Sequence, residues 1–94
     1  MKLQIMKAAR ADLRSISAYI ARDNPLRAET YLEELIAKME LIAERPLSFP
    51  ARNEWQADLR SALHHHYHIL FKINGDTVSI LRVLHGARNI PDNI

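Results

Sequence analysis

Four basic side chains in the carboxyl-terminal half of the chain have the types needed for chemistry on a phosphodiester. Arg60, Arg82 and Arg88 carry guanidinium groups that can clamp phosphate oxygens. His85 titrates near neutrality and can give or accept a proton. Metal-independent RNA cleavage needs a base for the 2′-hydroxyl, an acid for the leaving 5′-oxygen and cations around the phosphate. These four residues fit that demand with low specificity, because basic residues on strands are common and no nucleophile motif, phosphate loop or carboxylate pair accompanies them. The cluster His64, His65, His66 and His68 suggests a second chemistry. On a strand His64, His66 and His68 would project to one side, and an i, i+2 pair can chelate zinc. No carboxylate or cysteine is spaced nearby to complete a tetrahedral set, so the expectation is a solvated hairpin end with no metal and no cofactor.

Residues 67–88 must position the basic groups. Tyr67, Ile69, Phe71 and Ile73 alternate with His68, Leu70 and Lys72, the period of a strand. Asn74-Gly75 is a hairpin signal, since both central residues of a type I′ turn take positive φ. Asp76 to His85 returns as a second strand rich in β-branched and aliphatic residues. A two-residue turn at Asn74-Gly75 pairs Ile73 with Asp76, Phe71 with Val78, Ile69 with Ile80 and Tyr67 with Arg82, whose guanidinium would stack on the phenol. Tyr67, Ile69, Phe71, Val78 and Ile80 then share one face. His66, His68, Leu70, Lys72, Leu81, Val83 and His85 share the other, and a slip of one residue would exchange the two sets.

Upstream, Leu3 and Ile5 alternate with Lys2 and Gln4 and predict a short edge strand over Lys2 to Met6. From Ala8 the period becomes helical, with Leu13, Ile16 and Ile20 on one face, and the helix stops at Asp23-Asn24-Pro25. Asn24 is a good N-cap for a second helix that begins at Pro25 and ends at Arg45-Pro46. Its stripe of Ala28, Leu32, Leu35, Ile36, Met39, Ile42 and Ala43 reads as core, with Glu29, Glu33, Glu34, Lys38 and Glu40 on the remaining faces. Leu47 to Gln56 reads as a loop pinned by Phe49 and Trp55, Ala57 to Leu63 as a strand, and Gly86 to Ile94 as an irregular tail. The order is β-α-α-β-β-β. This is an α+β class in which a helical hairpin packs on one face of a small antiparallel sheet, leaving the other face open to solvent or to a partner.

The chain has 94 residues, suiting one domain over residues 1–94 that buries roughly 60–70% of its unfolded surface. Its formal charge of +2 holds nucleic acid only where it is clustered. With no cysteine, there is neither a disulfide framework nor a thiolate nucleophile. No apolar run approaches the roughly 20 residues of a membrane span, and MKLQIM is too short for the apolar region of a signal peptide, so the expected location is cytoplasmic with no membrane partner.

Three stretches carry a family resemblance. ADLRSISAYIARDNPLRAETYLEEL (residues 11–35), ERPLSFPARNEW (44–55) and LRSALHHHYHILFKINGDTVSILRVLHGARNIP (59–91) resemble the helical hairpin, connecting loop and meander of the RelE/ParE superfamily of type II toxins, closest to the ParE type. The resemblance covers nearly the whole chain. It implies the RelE/ParE toxin fold and the toxin component of a type II toxin–antitoxin system. Its alternatives are a gyrase poison of ParE type, a ribosome-dependent mRNA endonuclease of RelE type, or a non-toxic binding remnant. RelE-type nucleases place basic residues on the sheet, with a histidine or tyrosine near the C-terminus. Arg60, Arg82 and His85 partly match, with Arg88 a further candidate. The tail RNIPDNI lacks the terminal aromatic or His-Tyr element, and the strand before the meander has no lysine pair. Those departures favour a growth inhibitor that poisons DNA gyrase by binding and runs no chemical step. The partners implied are a cognate antitoxin and DNA gyrase, or, for the alternative, the ribosome and mRNA. An antitoxin helix would lie along the hairpin at Leu32, Leu35 and Met39, and an extended arm would meet the sheet at Tyr67, Lys72, Arg82, His85 and Arg88.

Overall fold

The change of hydrophobic period at Met6 is where strand gives way to helix. In the computed structural model, which describes residues 1–86 and 88–94, β1 spans Lys2–Ile5 and α1 spans Lys7–Ala21. α2 spans Pro25–Glu44. The Asn24 side chain accepts from the Arg27 backbone N–H at 3.0 Å, and Pro25 occupies the first turn, where its missing N–H has no partner to lose. A 3-10 turn at Pro46–Ser48 leads into the loop, followed by β2 (Arg60–His64), β3 (Tyr67–Asn74), β4 (Thr77–His85) and a last 3-10 turn at Ile90–Asn93.

The sheet order is β1-β4-β3-β2. β2, β3 and β4 form the expected antiparallel meander, but β1 lies parallel to β4, so the sheet is mixed. The helical hairpin causes this. α1 leads away from the end of β1 and α2 returns the chain to its start, where the Met1 amino group donates to the Ala43 carbonyl at 3.1 Å. β2 therefore sets out in the same direction as β1, and two reversals later β4 does too. The loop after α2 runs along the outer edge of β2, where the Ser61 N–H donates to the Pro50 carbonyl and the Arg52 N–H to that of Leu59. A sheet edge that would otherwise offer unpaired backbone groups is thereby occupied.

The helices cover one face of the sheet. Leu13, Ile16, Leu35, Met39 and Ile42 pack on Ile69, Phe71, Val78, Ile80 and Val83. The opposite face is not open as expected. Leu59, Leu70, Leu84 and Ile90 form a second, smaller core, with Trp55, Leu81 and Ile94 packed around it. The connecting loop and the tail supply this cover. Pro91 does not keep the tail irregular, because a proline is tolerated at the first turn of a short 3-10 helix.

The hairpin register differs from expectation in two ways. Its turn residues are Gly75 and Asp76, and Asn74 pairs with Thr77. Gly75 alone of the turn takes positive φ (59°), as the first central position of a II′-type turn asks, and Asn74 keeps its strand conformation. From the turn back to Phe71 each partner moves by two residues, so Phe71 faces Ile80 and these side chains keep their faces. A bulge between the Leu70 and Phe71 pairings then lets Leu70 face Arg82, with Leu81 as the extra residue. Beyond it the alternation of β4 reverses. Val83 joins the helix-side core, and Tyr67 meets His85 instead of Arg82, with ring centres 5.3 Å apart, edge to face.

Arg82 is thereby freed for a different task. β1 pairs β4 only from Thr77 to Ile80, which leaves the upper edge of β4 without a strand neighbour. α1 lies there instead. Asp12 accepts from Arg82 Nε at 2.8 Å and Nη2 at 2.9 Å, and from the Val83 backbone N–H at 2.9 Å. Arg82 Nη1 donates to the Asn93 carbonyl. One ion pair thus ties α1, the edge of β4 and the tail together. Both side chains are mostly buried (24% and 14% exposed for Arg82 and Asp12). Removing the carboxylate leaves a guanidinium and a backbone donor without an acceptor. Asp12→Ala is expected to cost about 2 kcal/mol, read as a lowered urea midpoint at constant slope; a loss below about 0.5 kcal/mol would mean the pair behaves as an ordinary surface ion pair.

Candidate functional site

The bulge and the helical hairpin together shape a groove at the β2–β3 end of the sheet. α1 contributes Asp12, Ile16 and Tyr19, and α2 contributes Tyr31. The β2–β3 turn contributes His65 and His66, the strands Tyr67 and His85, and the tail Arg88. The groove holds about 750 Å³. Its floor is a chain of rings. Tyr31 meets Tyr67 at 6.1 Å, Tyr67 meets His85 at 5.3 Å, and His85 stacks with His66 at 5.9 Å. Burial pushes the Tyr31 phenol pKa up, so it stays protonated and can donate. Aromatic groups with polar tips, bordered by an exposed Arg88, suit protein recognition: they supply large apolar contact and fixed hydrogen-bonding points.

The four residues proposed for phosphate chemistry do not converge. Arg82 is committed to Asp12, whose hydrogen bond holds the guanidinium pKa up. Arg60 donates to the Phe49 carbonyl at 2.7 Å and, with Lys72, lines a separate cleft of about 440 Å³ bordered by Asn53 and Asp58. Only His85 and Arg88 share the groove, beside Tyr67. The helical positions divide similarly. Leu35 and Met39 are fully buried beneath the sheet face, as their place in the core stripe implies, so an antitoxin helix cannot touch them without opening the core. Leu32 is half-buried and, with Arg10, Arg14 and Ile36, lines a shallow apolar furrow along the outside of the hairpin.

The histidine cluster is also rearranged. His64 ends β2 facing the helices, His65 takes positive φ (53°) in the turn, and His68 points to the second core. His64, His66 and His68 therefore do not project to one side as a continuous strand would require. His64 Nε2 lies 3.0 Å from Glu34 Oε1. Arg27 Nη1 donates to Glu34 Oε2 at 2.5 Å, and that hydrogen bond leads the causes that hold the Glu34 carboxyl below the usual range. Glu34, Tyr31, Tyr19 and Asp12 were not singled out from sequence. Tyr31 and Glu34 sit on a helix whose pattern explains them as core and solvent face, and only the tertiary fold brings them to the turn.

His68 is half-buried. Its Nδ1 lies 2.8 Å from Ser61 Oγ and its ring meets the Trp55 ring edge to face at 5.3 Å. Burial, and secondarily the Arg52 cation, push its pKa below the ordinary imidazole value of about 6.5. The folded chain therefore binds this proton less readily than the unfolded chain. Stability on this account is complete above about pH 6.5 and falls as the pH drops from there to the folded pKa. A proton titration followed by NMR is expected to place the His68 midpoint below the ordinary imidazole value of about 6.5; a midpoint at or above that value would contradict the burial argument.

Comparison with known proteins accords with this geometry. The family model described as the ParE toxin of the type II toxin–antitoxin system parDE matches residues 3–90. No individual curated protein sequence matches the chain. Among solved structures, the chain is similar to one from the chromosomal ParDE toxin–antitoxin system of P. aeruginosa, with a TM-score of 0.80 and 19% identity over 90% of this chain and 95% of that one. It is also similar to one from the toxin–antitoxin complex RelBE2 of Mycobacterium tuberculosis, with a TM-score of 0.66 and 27% identity over 89% of this chain and 95% of that one. The helical hairpin on a four-stranded mixed sheet is the fold these structures share, and with the family model matching nearly the whole length, the chain belongs to the ParE toxin family of type II toxin–antitoxin systems.

Proposed function

We propose that the chain arrests growth by binding and trapping DNA gyrase, and that a cognate antitoxin neutralises it by covering the hairpin furrow and the sheet-end groove. The observation that carries the reading is the dispersal of the basic residues. RNA cleavage asks for an acid, a base and cations within hydrogen-bond reach of one phosphate. Here Arg82 is held in an internal ion pair and Arg60 sits in another cleft. What remains at the groove is a row of aromatic and imidazole rings with Arg88 at its border, a composition that favours docking over catalysis. The likeness to structures from toxin–antitoxin systems supports the antitoxin as the neutralising partner. Leu32 in the furrow offers an anchor for an amphipathic helix, and the groove offers Tyr67, His85 and Arg88.

Tightly controlled expression tests the reading. DNA synthesis is expected to stop before protein synthesis, with induction of the DNA-damage response, and purified chain is expected to raise the level of gyrase–DNA cleavage complexes. Arg88→Glu, which reverses an exposed charge outside the core, is expected to weaken both effects at least about tenfold, the size of one interface anchor. Early translation arrest with cut mRNA would overturn the gyrase reading in favour of RelE-type cleavage. Unimpaired growth with folded chain present would mark a non-toxic binding remnant.

A further inference from the structure

We infer that Glu34, His64 and His65 form a binding site for a zinc-class divalent metal ion, joining α2 to the β2–β3 turn. Glu34 comes from α2, thirty residues before His64, so no local sequence spacing reveals it. One ligand atom from each of the three residues lies within 4.8 Å of the others. Donor atoms of a tetrahedral zinc site with bonds near 2.0–2.1 Å stand roughly 3.3 Å apart. The His64 Nε2 to Glu34 Oε1 separation of 3.0 Å is close to that already. The His65 ring lies stacked on that of His64, with centres 4.3 Å apart, which keeps a His65 nitrogen within 4.8 Å of the other two donors.

The backbone explains why two consecutive histidines can converge. In a regular strand their side chains would point to opposite faces. His65 instead takes φ of 53°, which ends β2 and swings its ring back onto the side of His64. The carboxylate is also oriented. Arg27 Nη1 donates to Glu34 Oε2 at 2.5 Å and Arg27 lies over the Tyr31 ring at 5.0 Å, while Oε1 takes a longer bond from Arg27 Nη2 at 3.4 Å and faces His64 Nε2 at 3.0 Å. Ligating carboxylates are usually fixed by such an outer hydrogen bond. Two imidazole nitrogens and one carboxylate oxygen are the donor set of open zinc sites, which keep a further position for water or an incoming ligand. The same set discriminates against magnesium, which prefers oxygen ligands. Because His65 is exposed and also borders the groove, that further position is accessible to a side chain of a bound partner.

The test uses the full chain without a histidine tag, stripped with chelator and titrated with Zn²⁺ against a chromophoric competitor. One equivalent is expected to bind, with a rise in melting temperature and no response to Mg²⁺. Co²⁺ in place of Zn²⁺ is expected to give the visible d–d bands of a four-coordinate ion. Glu34→Gln keeps the shape of the side chain, and His65→Asn keeps a residue tolerated at positive φ. Each is expected to weaken binding at least about tenfold with the circular dichroism unchanged. His66→Ala and His85→Ala, which alter the neighbouring stacked pair, are expected to leave binding unchanged. Equal binding by the Glu34→Gln variant, or an equal loss in the His66→Ala variant, would overturn the site and mark any affinity as adventitious chelation by exposed histidines.

Discussion

The Asp12–Arg82 pair is the constraint on which the rest of the structure depends. A four-residue first strand can pair only the lower half of β4, and the upper half is left as a bare edge. Asp12 answers that edge with one carboxylate, which takes the Val83 N–H and the guanidinium of the preceding residue. The helix that follows β1 thus acts as a substitute strand neighbour for two residues. Through Asn93 the same arginine fixes the tail, which roofs the second core. An isolated surface pair contributes little; this one matters because its members also satisfy a backbone N–H of β4 and a backbone carbonyl of the tail.

That constraint accounts for which parts of the structure could be read from the sequence. The helical hairpin was readable because its signals are local: the period of Leu13 and Ile16, the Asn24-Pro25 cap, and the stop at Arg45-Pro46. The order of elements and the edge position of β1 followed from the same kind of signal. The upper half of β4 was not readable, because a bulge leaves no local mark in a run of aliphatic residues. Leu81 looks like any other strand residue, and one extra residue sends Val83 and His85 to the opposite face from that assigned by simple alternation. Arg82 passed for the same reason from a ring-stacking role beside Tyr67 to an internal ion pair.

The second core shows a related limit. Trp55 and Ile90 lie in segments punctuated by proline and polar residues, which read as loop and tail. They nonetheless bury Leu59, Leu70 and Leu84. A small sheet with helices on one face only would expose an apolar surface on the other, and a chain of this length has only its connections with which to cover it. His68 is half-buried against that cover, which is why its ring meets Trp55 and its pKa is pushed down.

These features together decide what the groove can be. Its walls come from elements held by different means: α1 by Asp12, the turn by the left-handed His65, and α2 by packing of Leu35 and Met39. Such a groove is rigid at its base and bordered by exposed side chains. Of the guanidinium groups considered for phosphate chemistry, Arg82 is committed to Asp12 at the edge of β4, and Arg88 is the one that lines the groove. The same commitment leaves His85 and Arg88 at the end of a strand whose position is firmly set. Action by occupying a target, the mode proposed for this chain, is served by that combination: walls built on core packing and ion pairing, carrying exposed groups that can be changed without touching the core.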